Sequence, residues 1–425
     1  MKKSNRLAID GGVPVVKDSL PSGVSGPSVV DEEEVEAVAR LLRSQKLFRY
    51  RPDSECNLLE LEAAELLGVK YALAVNSGTA ALVCAMKGVG LGPGDEAIVP
   101  GYTYIATVAA VVAAGAVPVI AEIDDSLGLD PSDVERKITK YTKAIVPVHM
   151  RGVPNRLDSI LTLARRHRLK VVEDCSQCVG GAYKARRVGT YGDVGTWSLN
   201  YYKTISTGEG GLLYTNDRDV FERACFASDP GLPMWGGEDS RGIEFHQDPF
   251  PGETYRPSEL VGAVGRVQLR KLDGVLAHQR RLKKAFLAEL DEPRAYRLQH
   301  VDDPAGDTGV SAGVIVQDEE LARGYAHALK AEGVPVGTIY NAGIPDRHIY
   351  SAWDSILNKR SHHPSGYPWK DPAYRGDVQY SKDMCPQTLD LLGRTLLLNF
   401  NMNMAEEHAR AMARALNKVD AALGT

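Results

Sequence analysis

Cysteine is scarce in this chain. Six residues (Cys56, Cys84, Cys175, Cys178, Cys225 and Cys385) over 425 positions are too few for a disulfide scaffold, which points to a reducing, cytoplasmic setting. A surplus of one charge is also missing. Fifty basic against 55 acidic residues leave a formal charge of −5, which argues against a nucleic-acid surface or a polybasic membrane patch. The start, Met1-Lys2-Lys3-Ser4-Asn5-Arg6, is basic, but no apolar signal core follows it. Long hydrophobic runs are lacking too. Residues 105–121 come nearest, yet they contain Gly115 and Pro118 and fall short of the roughly 20 apolar residues of a membrane helix. They read as a buried helix ending near Gly115, then a buried strand over 117–121. Internal repeats and low-complexity tracts are absent. What is there, 44% hydrophobic and 25% charged residues, is the composition of a soluble globular protein with room for about two or three domains.

From about residue 77 to 215 short apolar runs alternate with helix-length patterns. Strands are expected at 97–99, 117–121, 144–148 and 170–173, and a helix over 157–167, where Leu157, Ile160, Leu161 and Ala164 fall at helical spacing. Continuous apolar strands between helices predict a parallel sheet covered on both faces. Two more strands, 196–199 and 211–215, follow without a long helix between them. Residues 258–290 read as a long helix leading out of this α/β unit. A second, smaller set follows: strand 313–317, helix 319–332, strand 395–400 and helix 405–423. The expected division is a large domain over 1–280 and a small C-terminal domain over 281–425, with a long insert at 341–387. That insert and the Gly/Pro-rich stretch 229–257 are long enough to ask for a functional reason. They either elaborate the surface, or wall a substrate site or cross to another subunit.

Three motifs carry chemistry. Asn76-Ser77-Gly78-Thr79-Ala80-Ala81-Leu82 joins a short strand to a helix; free amides and the dipole at a helix start suit a phosphate, although Ser/Thr turns cap many helices that bind nothing. Glu173-Asp174-Cys175-Ser176-Gln177 sits at the carboxyl end of a strand, where ligands of open α/β sheets gather. There Asp174 could keep a ring nitrogen protonated and Gln177 could reach the same ligand, or the acid could simply cap the next turn. Cys175 and Cys178 form a C-x-x-C, but no second cysteine pair or spaced histidines accompany it, so no metal site is expected. Lys203 follows a strand and precedes Thr207-Gly208-Glu209-Gly210-Gly211. A desolvated lysine there can form a Schiff base with an aldehyde, and Ser198, five residues earlier, can add a hydroxyl to a phosphate. Phosphate cradle, ring-nitrogen carboxylate and Schiff-base lysine are the parts of a pyridoxal-phosphate site.

With these motifs and Gly92-Pro93-Gly94-Asp95-Glu96, the chain from about residue 26 to 423 resembles the DegT/DnrJ/EryC1/StrS family of sugar aminotransferases, within the fold-type I pyridoxal-phosphate enzymes. The resemblance implies a large, mostly parallel α/β domain plus a smaller α/β domain, and pyridoxal 5′-phosphate as cofactor. It implies that Lys203 carries the cofactor and shuttles a proton, and that Asp174 pairs with the ring nitrogen. Gly78, Thr79 and Ser198 would hold the phosphate, Tyr104 would stack on the ring, and Gln177 would contact the ring's 3-hydroxyl side. Some family members are dehydratases in which histidine replaces the lysine, so Lys203 favours amino transfer. One departure stands out. In Glu253-Thr254-Tyr255-Arg256, Thr254 occupies the place of an asparagine that reaches the partner subunit's phosphate. A homodimer with shared sites is still implied.

The expected activity is amino transfer from glutamate or glutamine to a keto-sugar or keto-cyclitol. The run His149-Met150-Arg151-Gly152-Val153-Pro154 and the long insert are similar to the subgroup that aminates keto-inositols; nucleotide-linked keto-sugars are the alternative. A silent relative that only senses cofactor or sugar is a reading of another class, against which the intact Lys203, Asp174 and Gln177 stand. His149 could face the cofactor or be a hydrogen-bonded structural residue. Tyr201 and Tyr202 have no assigned role.

Overall fold

The computed structural model describes residues 6–231, 244–340 and 346–424. Five short apolar strands come first: β1 (Tyr71–Val75), β2 (Glu96–Pro100), β3 (Val117–Ala121), β4 (Thr142–Ile145) and β5 (Lys170–Asp174). A two-residue hairpin, β6 (Ala182–Tyr183) and β7 (Arg186–Arg187), separates them from β8 (Val194–Ser198) and β9 (Gly211–Thr215). Seven of these strands form one sheet in the order β1-β9-β8-β5-β4-β2-β3. Only β9 runs against its neighbours; the remaining pairs are parallel. β2, β3, β8 and β9 are buried at every position, as strands covered on both faces must be.

The covering helices are α1 (Glu32–Ser44), α2 (Glu55–Leu67), α3 (Gly78–Gly88), α4 (Ala106–Ala113), α5 (Pro131–Lys137), α6 (Leu157–His167), α7 (Arg218–Ser228) and the long α8 (Glu259–Ala288). Residues 105–121 divide as their composition predicts. After α4 the chain turns at Gly115, whose φ is 90°, and continues as β3. A side chain at Gly115 could not be accommodated either, because its Cβ would lie 2.0 Å from the Tyr367 hydroxyl. Among the described residues no helix is long and apolar enough to cross a membrane.

A second sheet, β10 (Tyr296–Leu298), β11 (Ser311–Val316) and β12 (Thr395–Asn399), is antiparallel throughout. Its core includes side chains of α9 (Glu319–Ala331), of α12 (Glu406–Leu423) and of the end of α8. Leu7 joins this second core, and the Glu332 carboxylate accepts hydrogen bonds from the Ala8 and Val15 amides at 2.8 and 2.9 Å. The segment from Leu7 to Val15 thus folds onto the smaller sheet. The insert does the reverse: Ile349, Tyr350, Trp353, Trp369 and Tyr374 pack into the core of the seven-stranded sheet. It carries α10 (Asp354–Leu357) and leads into α11 (Pro386–Gly393).

Candidate active site

A cavity of 680 Å³ opens where β1, β2, β5 and β8 deliver their carboxyl ends, and Gly78, Thr79, Tyr104, Asp174, Gln177, Ser198 and Lys203 all line it. Six strands of the sheet share one direction, so these loops emerge on one side.

β1 is held in place by a buried ion pair. Arg49 Nη2 lies 2.6 Å from Glu60 Oε1, Arg49 Nη1 donates to the Ala74 carbonyl, and the same Glu60 oxygen accepts from the Ala74 amide. Two residues after the end of β1, Ser77 caps α3, its Oγ accepting from the Ala80 amide at 3.1 Å. The amides of Gly78 and Thr79 are among those that a helix start leaves without an intrahelical acceptor, and the helix dipole adds partial positive charge there. Gly78 can be nothing larger, since a Cβ would meet the Ser198 Cβ at 2.6 Å. The two halves of the cradle, from β1 and β8, touch through that glycine.

Asp174 is 3% exposed. Its Oδ2 accepts from Thr107 Oγ1 at 2.8 Å, and Thr107 meets Thr103 at 2.7 Å; Oδ1 accepts from the Ser176 amide at 3.0 Å. Neither threonine was singled out from sequence: Thr107 lies in the first turn of α4, and Thr103 in the loop before it. Lys203 is fixed by its backbone: its amide donates to the Asn200 carbonyl and its carbonyl accepts from the Gly26 amide, both at 3.0 Å. Burial lowers its pKa; the attraction of Asp174 opposes that shift and the nearby Arg151 guanidinium reinforces it. A lysine so desolvated supplies neutral amine more readily than one in water. Arg151 itself sits in the left-handed region with φ 56°, and its Nε donates to the Tyr102 hydroxyl at 3.0 Å.

The neighbouring carboxylate has a different duty. Strand alternation turns Glu173 away from the cavity. It accepts four hydrogen bonds: from the amides of Gly189, Tyr191 and Gly192 at 2.7, 2.8 and 2.6 Å, and from His149 Nε2 at 3.1 Å. The Asn155 amide donates to His149 Nδ1 at 3.0 Å, which leaves the ring proton on Nε2. His149 is fully buried and does not line the cavity, so of its two readings the hydrogen-bonded one holds. His149, Glu173 and Cys175 lie close enough together to hold a metal ion, but Glu173 has both oxygens committed to the donors above. Cys175 and Cys178 are buried with raised pKa values, burial being the main cause.

Thr254 is exposed and does not line the cavity of the single chain; it neighbours Tyr255, whose carbonyl accepts from the Asn76 amide at 2.7 Å. In the Gly/Pro-rich stretch, Phe245 and Phe250 pack edge-on against Phe226 of the same chain at 5.0 and 5.9 Å; Trp235 lies outside the described residues. Tyr201 and Tyr202 are both exposed, and their rings meet edge-on at 5.2 Å. Tyr202 is 75% exposed and also lines the cavity. Asp346, Arg347 and His348, in the aperiodic insert, line it too and carried no sequence signal.

The model of the DegT/DnrJ/EryC1/StrS aminotransferase family matches residues 28–364. The chain is 38% identical to the GDP-perosamine synthase of Vibrio cholerae over 54% of its own length and 61% of that protein's, so it spans less than two thirds of that relative. It is 31% identical to the L-glutamine:2-deoxy-scyllo-inosose aminotransferase of Micromonospora echinospora, with 84% of each chain covered. Among solved structures it is similar to DesV of S. venezuelae, at 28% identity and a TM-score of 0.72, covering 92% of this chain and 94% of that one. The shared architecture is the fold-type I α/β arrangement of pyridoxal-phosphate aminotransferases.

Proposed function

The chain belongs to the DegT/DnrJ/EryC1/StrS aminotransferase family, whose cofactor is pyridoxal 5′-phosphate, and from that premise we propose that it moves an amino group from glutamate or glutamine to a ketone on a sugar or cyclitol. The observation that carries this reading is the gathering of Lys203, Asp174 and the Gly78–Ser198 cradle around one cavity.

The residues present fit the cofactor. The close approach of residues 78 and 198 makes a backbone cradle that a Cβ would fill, and it offers amides and a hydroxyl to a phosphate. Asp174, with a threonine and an amide already donating to it, would hold the ring nitrogen's proton. Tyr104 and Gln177 would bound the ring, and Thr254 would reach the phosphate of a second subunit. When bound, the cofactor supplies an electron sink for the bond being broken. Lys203 would hold it covalently, then take the proton from the donor's Cα and return it on the acceptor side; its pKa, lowered by burial, favours the neutral amine that a base needs.

The acceptor favoured is a keto-cyclitol. The inosose aminotransferase aligns with 84% of the chain, and the run from His149 to Pro154 resembles the same subgroup. A nucleotide-linked keto-sugar has its own support: the perosamine synthase shows higher identity over a shorter stretch, and Arg347 lines the cavity with no ion-pair partner among the described residues, as a diphosphate would use. The protein would work as a cytoplasmic homodimer. Discharging amino-loaded enzyme against a panel of keto-cyclitols and nucleotide-linked keto-sugars decides the acceptor. Donor-induced loss of the visible cofactor band separates an enzyme from a silent sensor, which need not lose it.

A further inference from the structure

The phosphate cradle lies at the β1 and β8 ends of the cavity, whereas the β2 end is walled by residues 346–348, to which the roles above give no work on a cyclitol. This wall is stitched to the loop after β2. The Thr103 amide donates to the His348 carbonyl at 2.9 Å and the Ile105 amide to the Arg347 carbonyl at 3.2 Å, with Tyr102 and Ile349 paired antiparallel beside them. The indole of Trp353, 1% exposed, donates to the Arg347 carbonyl at 2.9 Å. The backbone at His348 is therefore anchored from both sides.

Its ring is set as firmly. Asp346 Oδ1 accepts from the His348 amide and from His348 Nδ1, each at 2.9 Å, and the ring leans on Tyr104 with centroids 5.5 Å apart at 51°. Burial pushes the Asp346 carboxyl up, but the His348 bonds and the Arg151 charge together hold it below its ordinary value. With Nδ1 committed as donor, Nε2 is the ring's remaining polar atom. It has no hydrogen-bond partner among the described residues, and the residue lines the cavity. A carboxylate that fixes one nitrogen of a histidine sets the tautomer and aims the other nitrogen.

We infer that His348 is the residue that reads a hydroxyl of the acceptor, through Nε2, and that Asp346 is its positioning residue. The ligand this pair selects is a polyhydroxylated keto ring rather than a bare cyclic ketone. The inference rests on the aminotransferase reading, with Tyr104 packing against the far side of the same imidazole.

The test uses holoenzyme and separates the two half-reactions by single-turnover absorption. His348→Phe keeps a ring against Tyr104 but removes both nitrogens; His348→Gln restores a polar atom near Nε2; Asp346→Asn weakens the aim. His348→Phe should raise KM for the acceptor that turns over with the wild type by about 10–100-fold, the scale of one lost hydroxyl contact, while the donor half-reaction stays within about twofold. It should also shrink the wild type's preference for that acceptor over its analogue lacking the hydroxyl, by a similar factor. His348→Gln should recover part of the loss, and Asp346→Asn should fall between. Parallel loss in both half-reactions, or an unchanged hydroxyl preference in His348→Phe, would overturn the inference. The wild-type donor half-reaction, which does not call on His348, tests the aminotransferase reading separately.

Discussion

Replacing Glu173 by glutamine changes one oxygen for an NH2 group without changing shape, at a site where every neighbour is a donor. Oε1 receives the Tyr191 and Gly192 amides and Oε2 receives the Gly189 amide and His149 Nε2. Whichever oxygen becomes nitrogen, two N–H groups then face a donor and are left without an acceptor in a fully buried site. An unsatisfied buried donor costs about 1–3 kcal/mol, so Glu173→Gln should destabilise the protein by roughly 2–6 kcal/mol if the costs add. Denaturant unfolding followed by circular dichroism, at constant cofactor saturation, measures it. His149 cannot relieve the loss by changing tautomer, because its Nδ1 already accepts from the Asn155 amide. A change below about 0.5 kcal/mol, the scatter of ordinary surface substitutions, would show that Glu173 does not organise the 189–192 turn as the geometry says.

The adjacent acid gives the opposite signature: Asp174→Asn should leave cofactor bound and stability nearly unchanged while slowing proton removal on the order of 100-fold or more, read by single-turnover absorption. Gly78→Ala should drive the α3 start off Ser198 and weaken cofactor binding by about 10–100-fold, with Ser198→Gly in the double variant restoring part of the fold's stability, since strain of this kind costs about 1–3 kcal/mol; equilibrium dialysis and thermal melting check the two effects. Thr254→Ala should loosen the cofactor by only a few-fold, as befits one neutral hydrogen bond, in a protein that sediments as a dimer; a fully active, cofactor-saturated monomer would contradict the shared site.

What could be read in advance depended on whether a residue's role is local. The strand Val117–Ala121 and the helix Leu157–His167 have the bounds their patterns predict, because an unbroken apolar run beside Gly115 and an amphipathic repeat each carry their own punctuation. β10 went unseen: Tyr296–Leu298 is three residues long and its strand character comes from pairing with β11. Lys203, Asp174, Ser198 and the 77–79 turn were legible as motifs at strand ends. The residues that orient them were not. Thr107 reaches Asp174 across 67 positions and His348 meets Tyr104 from within the insert, contacts that no period in the sequence announces. Glu173 and Asp174 adjoin in sequence, so only alternation along β5 separates the acid that faces the cavity from the one that braces a turn. Tyr201 and Tyr202 remain without a physical account.

The central claim is that Lys203, at the β8 end of the cavity, holds the cofactor. Borohydride reduction of the holoenzyme followed by peptide mapping tests it directly. The pyridoxyl group should be found on Lys203, half-buried near Asp174. Recovery of the label on another lysine, such as Lys184, which is solvent-exposed and ion-paired to Asp158, would contradict the account.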